Sequence, residues 1–413
     1  VKGKKINVVT LGCSKNVVDS EHVMAQLAAA GYDVVFDSNG TEVRTVVVNT
    51  CGFIGDAKEE SINTILGFVR AKEEGAIDRL FVIGCLSERY AEELRREIPE
   101  VDAYFGARDF SGVVRALTGS EGGAPATERM LTTPGHYAYL KISEGCNWRC
   151  AYCAIPLIRG PHVSVPEEQV LEEAGRLVRR GVKELIVVAQ DTTYSGVDLY
   201  GERRRGRLLR RLAAIPGVEW VRLHYTYPTG FPDDVLAAMR EEPKICRYID
   251  IPLQHIADRQ LSAMRRGITK RGTEELIARL RREVPGIAIR TTLLVGFPGE
   301  SEEDFAELTD FVERQRFERL GVFPYSAEEG TPSAEMADDV PEEVKQARVE
   351  RIMELQRNIS HEANVARIGR KLRVVVDRRE GDYYVARSEY DSPEVDQEIL
   401  IPVAEGRLLP GEF

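Results

Sequence analysis

The stretch Ser143-Glu-Gly-Cys146-Asn-Trp-Arg-Cys150-Ala-Tyr152-Cys153 sets three thiols at C-x3-C-x2-C spacing in a short loop after a strand-like run. So little chain between cysteines leaves no room for a disulfide knot, and thiolate is the ligand that iron–sulfur clusters and zinc prefer. Three ligands leave one iron of a four-iron cluster without a protein partner, free to chelate a substrate or cofactor. A structural zinc site asks instead for a fourth Cys or His. The nearest histidines, His136 and His162, lie outside the loop on either side, which disfavours zinc.

Toward the N-terminus a strand, a cysteine and a helix follow one another three times. Residues 6–11 read as a buried strand ending in Gly12-Cys13-Ser14-Lys15-Asn16, with an amphipathic helix over about 17–30. Residues 45–49 end at Thr50-Cys51-Gly52 before a helix over about 56–72, and 80–84 end at Cys85 before a helix over about 88–97. In a parallel sheet such turns share one edge, where open α/β folds place ligands, so the three thiols are expected to converge. Taken singly, each is more simply a buried small hydrophobe. Three at equivalent positions point to ligation. A strand at 101–105 and a helix at 113–117 complete a first domain over 1–118, and 119–135, rich in Gly, Pro, Ser, Thr and Ala, reads as an exposed linker.

A second domain over 136–340 begins with a strand at 137–142. Further strands at 184–189, 220–224, 248–251, 287–295 and 319–324 alternate with helical stretches near 167–180, 205–213, 232–240, 258–265, 272–283 and 301–314. Six strands with intervening helices predict an open, barrel-like parallel sheet whose functional residues gather at the strands' carboxyl ends. Gln190-Asp191-Thr192, Pro252-Leu253-Gln254-His255 and Thr291-Thr292-Leu-Leu-Val-Gly296-Phe-Pro-Gly299-Glu300 stand at such ends. The last could equally be a tight turn with a helix cap. His255 reads as a hydrogen-bonded core or rim residue, Cys246 as a packed thiol, and the arginine run 203–211 as a solvated helix face, with contact to rRNA or tRNA left open.

A charged helical connection is expected over 341–366. Short alternating strands at 371–377, 383–388 and 397–402 then have the grammar of a small β-barrel over 367–413. The chain stops at Phe413, sooner than four or five strands need to close, so a partial barrel is expected.

Composition narrows the partners. The 413 residues are 43% hydrophobic and 30% charged, as in an ordinary globular protein of two or three domains. No apolar run approaches the ~20 residues that span a bilayer, and no signal-peptide core opens the chain, so no membrane and a cytoplasmic location are expected. Seven cysteines are too few and too oddly spaced for a disulfide framework. The net charge of −11 argues against a long grip on nucleic acid phosphates and suits a basic protein partner.

C-x3-C-x-aromatic-C, with Tyr152 as the aromatic, resembles the signature of radical S-adenosylmethionine (SAM) enzymes. The whole chain is similar to their methylthiotransferase branch. The resemblance implies an N-terminal domain whose Cys13, Cys51 and Cys85 hold one 4Fe-4S cluster, a radical SAM domain whose Cys146, Cys150 and Cys153 hold another, and a C-terminal TRAM barrel that recognises the substrate. It further implies SAM contacts among Tyr152, Gln190, Gln254, Thr291, Gly296 and Glu300, no catalytic side chain beyond the clusters, and an electron-donor protein. In the branch, the N-terminal cluster carries the sulfide that one SAM methylates, while a second SAM yields the deoxyadenosyl radical that activates the substrate carbon.

Within the branch, Leu11-Gly12-Cys13-Ser14-Lys15-Asn16-Val-Val-Asp19-Ser20-Glu21 and Ala386-Arg387-Ser388-Glu-Tyr-Asp391-Ser-Pro393-Glu394-Val-Asp396 resemble the members that modify an aspartate of the twelfth small-subunit ribosomal protein. Eight basic against ten acidic side chains over 367–413 agree, since a barrel that holds tRNA should be basic. The alternatives are a tRNA adenosine methylthiotransferase, a radical SAM enzyme without sulfur insertion, which leaves the first triplet unexplained, and a non-enzymatic iron–sulfur carrier, which leaves the polar strand ends unexplained.

Overall fold

Runs such as Lys5–Thr10 (β1, KINVVT) and Thr45–Thr50 (β3, TVVVNT) are buried on both sides, the mark of strands inside a parallel sheet covered by helices. With Asp33–Phe36 (β2), Arg79–Gly84 (β4) and Ala103–Tyr104 (β5) they form a five-stranded sheet in the order β2-β1-β3-β4-β5, with every pair parallel. Four helices connect them: Ser14–Ala29 (α1), Gly55–Glu73 (α2), Cys85–Glu97 (α3) and Phe110–Thr118 (α4). Alternation decides the two cores. Val46, Val48, Leu80 and Val82 pack with Ile65 and Val69 of α2, while Val47, Phe81 and Ile83 pack with Val23 and Leu27 of α1 and Val113 of α4. β2 is absent from the sequence reading because it has four residues and only one of them is buried.

The computed structural model describes residues 5–38, 43–119 and 124–413; residues 1–4 of the first expected domain and 120–123 of the expected linker lie outside the described residues. Contacts divide the chain into one unit of Val1–Thr133, Tyr139–Asn147 and Ala154–Val163, and another of Pro134–Ala138, Trp148–Cys153 and Ser164–Phe413.

The described part of the linker is tied down within the first unit. Arg129 is buried and paired with Glu21 of α1, Thr132 donates to the same carboxylate through its N–H at 2.7 Å, and Gln26 donates to the Ala124 carbonyl at 3.0 Å. The composition signals a loop, and the polar side chains of α1 hold it in place.

Farther along come Tyr137–Lys141 (β6) and two short strands, Ser143–Glu144 (β7) and Val163–Ser164 (β8). The second unit is built on the strands Glu184–Val188 (β9), Trp220–Leu223 (β10), Ile245–Asp250 (β11), Ala288–Val295 (β12) and Arg319–Pro324 (β13), in the sheet order β13-β12-β11-β10-β9, with Tyr137 and Ala138 of β6 at its edge. The pairs from β9 to β13 are parallel, as expected of a partial barrel. Helix Glu342–Val365 leads to an antiparallel sheet of Val374–Glu380 (β14), Tyr383–Ser388 (β15) and Ile399–Pro402 (β16).

Segment 388–396 is bound to the barrel strands of its own unit. Arg319 Nε donates to Asp391 at 2.9 Å, Tyr248 donates to Asp396 at 2.7 Å, Arg222 Nη1 donates to the Glu389 carbonyl at 2.7 Å, and His224 Nε2 meets Ser392 Oγ at 2.9 Å. Arg387 and Arg222 both pair with the buried carboxylate of Glu184. These side chains fasten the small sheet to the barrel. The charged side chains of 203–211 are engaged too: Arg204 with Glu202, Arg210 with Glu241, and Arg211 with Glu167 and Glu168. Cys246 packs with Trp220, Tyr248, Ala288 and Val375, and burial pushes its thiol up to about 12.

Candidate functional site

In the first unit the strands that end in cysteine, β1, β3 and β4, are immediate neighbours in the sheet, with Thr10 opposite Asn49 and Thr50 opposite Gly84. Cys13 caps α1, Cys51 follows β3, and Cys85 is the first residue of α3. Two glycines let the turns touch. A Cβ on Gly12, whose φ is +90°, would lie 2.8 Å from the Cys51 Cβ, and one on Gly52 would lie 2.8 Å from the Leu86 backbone.

Asn16 joins all three turns. Its Nδ2 donates to the carbonyls of Leu11 at 2.8 Å and Thr50 at 3.2 Å, while its Oδ1 lies 3.8 Å from Cys85 Sγ. Asn49 Nδ2 donates to the Asn16 carbonyl and to Ser20 Oγ, and Ser61 Oγ bridges the N–H and C=O of Cys51.

Arg159, the last residue of the short helix Ile155–Arg159 (α5), reaches the same place. Its Nε and Nη2 donate to Cys85 Sγ at 3.3 and 3.2 Å, and Nη2 also donates to Asn16 Oδ1 at 2.7 Å. Nη1 donates to Asp19 at 2.8 Å and Glu144 at 3.1 Å, and Lys141 pairs with the same two carboxylates. Two cations and two anions balance.

Burial, the largest influence, works against ionisation at each thiol. At Cys13 the charge of Lys15, the backbone N–H of Asn16 and Arg159 overcome it, and the thiol lies below its ordinary value. Burial raises Cys51, and it pushes Cys85 up to about 11 against the pull of Arg159.

Among the described residues no three His, Cys, Asp or Glu side chains are grouped to hold a single metal ion. A cuboidal cluster takes each thiolate on a different iron, so the donor set suited to it is three thiols on neighbouring turns.

The second triplet divides between the units. Cys146 lies in the first, its N–H donating to the Gly160 carbonyl at 3.1 Å, and Cys150 and Cys153 lie in the second. There Arg266 Nη1 donates to Cys150 Sγ at 3.4 Å and to the Tyr152 hydroxyl at 3.2 Å, with its guanidinium 4.3 Å from the centre of the Tyr227 ring. Tyr227 OH lies 3.4 Å from Cys150 Sγ, and its ring stacks on Trp148 at 4.0 Å. Trp148 Nε1 donates to Asp191 at 2.6 Å. Burial, the largest influence on Tyr152, holds its phenol well above the ordinary value.

Of the expected SAM contacts, Gln190, Gln254 and Gly296 follow strands of the second sheet, Thr291 lies within β12, and Tyr152 lies in the cysteine loop. Gln190 is half-buried just past β9, and Gln254 has φ +74° and is held by backbone bonds to Thr292 and Leu294 at 2.8 Å each. Thr291 Oγ1 donates to the Ile251 carbonyl at 3.0 Å and accepts from the Leu253 N–H at 3.3 Å. Gly296 turns at φ +71°, its N–H bonded to the Glu300 carboxylate. That carboxylate also meets His255 Nε2 at 3.5 Å and Arg348 at 3.4 Å, so Glu300 is turned into the protein and braces the turn. His255 Nδ1 accepts the Ala257 N–H at 3.0 Å, and the ring is fully buried, a hydrogen-bonded core residue. Neither Asn16 nor Arg159, Arg266 or Tyr227 stands out in the sequence, although Asn16 lies within the Gly12-Cys13 motif.

Sequence profiles of three families match the chain: the radical SAM superfamily over 140–312, the Uncharacterized protein family UPF0004 over 5–106, and the TRAM domain over 368–413. The radical SAM methyltransferase TsrM of Kitasatospora setae, solved with cobalamin and a [4Fe-4S] cluster, shares the fold with a TM-score of 0.59 at 16% identity, over 80% of this chain and 77% of that one. The cobalamin-dependent radical enzyme OxsB does so at 0.53 and 12%, over 90% and 62%. The fold is thus that of a radical SAM protein.

Proteins named ribosomal protein uS12 methylthiotransferase RimO are far more similar. Those of Bacteroides thetaiotaomicron and Porphyromonas gingivalis are each 54% identical, over 100% of this chain and 95% and 96% of theirs. The chain belongs to the radical SAM methylthiotransferase family of these relatives. Membership implies iron–sulfur clusters and SAM. Among the described residues no helix is long and apolar enough to cross a membrane.

Proposed function

We infer that this protein places a methylthio group on the β-carbon of an aspartate in ribosomal protein uS12. The observation that carries the reading is the set of cysteine-ended strands β1, β3 and β4 lying side by side, in a chain 54% identical to named uS12 methylthiotransferases along its whole length. Cys13, Cys51 and Cys85 hold one 4Fe-4S cluster, and Cys146, Cys150 and Cys153 hold the other. SAM is held among Tyr152 of the cysteine loop, Gln190 and Gln254 beyond β9 and β11, Thr291 on β12 and Gly296 after it, and Glu300 keeps the Gly296 turn in shape. When bound, the clusters and SAM supply an electron, a deoxyadenosyl radical and the sulfur and methyl of the transferred group.

The chain's own residues fix and shield these sites. Asn16 locks the three turns in one register, and Arg266 with Tyr227 holds Cys150 Sγ, the Tyr227 ring being stacked on Trp148. The domain plan that follows is a sulfur-bearing 1–118, a radical-forming 136–340 joined through 341–366, and a TRAM segment 367–413.

The test is mass spectrometry after anaerobic incubation with SAM, a reductant and either uS12 or tRNA. One methylthio group in place of hydrogen is expected on an aspartyl peptide of uS12. Its appearance on a tRNA adenosine, with uS12 untouched, would overturn the substrate while leaving the chemistry. SAM cleavage under reducing conditions separates either enzyme from an iron–sulfur carrier.

A further inference from the structure

We propose that Arg159 is a positioning residue that sets the reduction potential of the cluster held by Cys13, Cys51 and Cys85, through a two-pronged hydrogen bond to the Cys85 sulfur. The inference rests on the reading that these cysteines hold a cluster. The donor inventory of the guanidinium carries it. Nη1 is spent on Asp19, Glu144 and, at 3.4 Å, the Ala107 carbonyl, and one Nη2 proton goes to Asn16 Oδ1. The Nε proton and the second Nη2 proton then fork onto one sulfur, at 3.3 and 3.2 Å.

A neutral thiol is a weak acceptor, so a buried fork of two charge-assisted donors is matched to a sulfur rich in electrons, as a metal-bound thiolate is. Ala107, Ala154 and Ile158 pack against Cys85, and Arg159 is buried, so the interaction is shielded from water. Asp19 and Glu144 anchor the far edge of the guanidinium, which fixes its plane. Hydrogen bonds to ligand sulfurs and burial are among the levers that set cluster potentials. One-electron reduction adds negative charge to the cluster and its sulfurs, and a cationic donor stabilises that form. A lysine offers a point charge in place of the fork.

The experiment uses the full chain with Cys146, Cys150 and Cys153 replaced by alanine, so that only the N-terminal site can load, and compares it with the same protein carrying Arg159→Lys or Arg159→Gln. Iron content, electron paramagnetic resonance of the reduced cluster and a mediated redox titration are measured. The parent is expected to hold about four irons. Arg159→Lys is expected to keep them with an altered resonance and a lower midpoint, and Arg159→Gln to lower it further. A tenfold loss of preference for the reduced state is about 59 mV for a one-electron couple. Unchanged midpoint and resonance in a variant that loads iron, or loss of iron from both variants, would overturn the proposal. A parent that binds no iron would defeat the cluster reading instead.

Discussion

Gly12 shows how much a single residue carries at this site. Replacing it with alanine puts a Cβ against Cys51 at a φ of +90°, at a local cost of about 1–3 kcal/mol. We expect Gly12→Ala protein to hold about four irons per chain in place of about eight, while still forming deoxyadenosine from SAM. A full iron complement would show that the turns need not touch. His22 is a second residue with a measurable signature. Burial, then the charges of Arg129 and Lys141, press its imidazole down to about 3. The unfolded chain takes up this proton near the ordinary value of 6.5, so stability is complete above about 6.5 and falls as pH drops toward 3, by at most about 1.4 kcal/mol per pH unit. Urea unfolding at several pH values should show a shallower acid slope for His22→Gln than for the parent.

Among the elements, the polar segment between β15 and β16 has the largest predicted effect. Asp391→Ala would strand the buried guanidinium of Arg319, at a cost of about 3–5 kcal/mol, read as a lower urea midpoint. An unchanged midpoint would mean that the small sheet is loosely attached. The repeated strands and their cysteines are legible in sequence because hydrophobic runs and strand-end thiols recur at fixed intervals. The motif 388–396 is legible as a pattern, yet what it touches is not: its acids meet Arg319, Tyr248 and Arg290, which lie far away along the chain. Arg159 and Arg266 stay hidden for the same reason, since an arginine beside a sulfur is a tertiary fact with no local period. Periodicity places the start of α3 at about Glu88, whereas the helix begins at Cys85 itself, because the turn at Gly84, with φ +105°, hands the strand directly to the helix.

On the scale of the molecule, sequence order and folding units do not coincide. The first unit needs residues 139–147 and 154–163, which supply Lys141 and Arg159 to Asp19 and Glu144 to the same two cations. A fragment ending at residue 118, where composition suggests a boundary, leaves Asp19 and Glu21 without their cations. We expect it to lack a cooperative unfolding transition, whereas a matched fragment that behaves as a stable two-state domain would show that these pairs are dispensable. The same interleaving has a consequence during synthesis. From residue 118 to residue 159 a ribosome making about 5–20 residues per second takes about 2–8 s. For that interval the nascent sheet carries its three cysteines and its acids before their guanidinium has been made. If Cys13, Cys51 and Cys85 hold a cluster as proposed, iron that reaches the chain early meets a site whose last partner is still untranslated, and we expect the timing of cluster delivery, as well as its affinity, to bear on how much of the newly made protein matures.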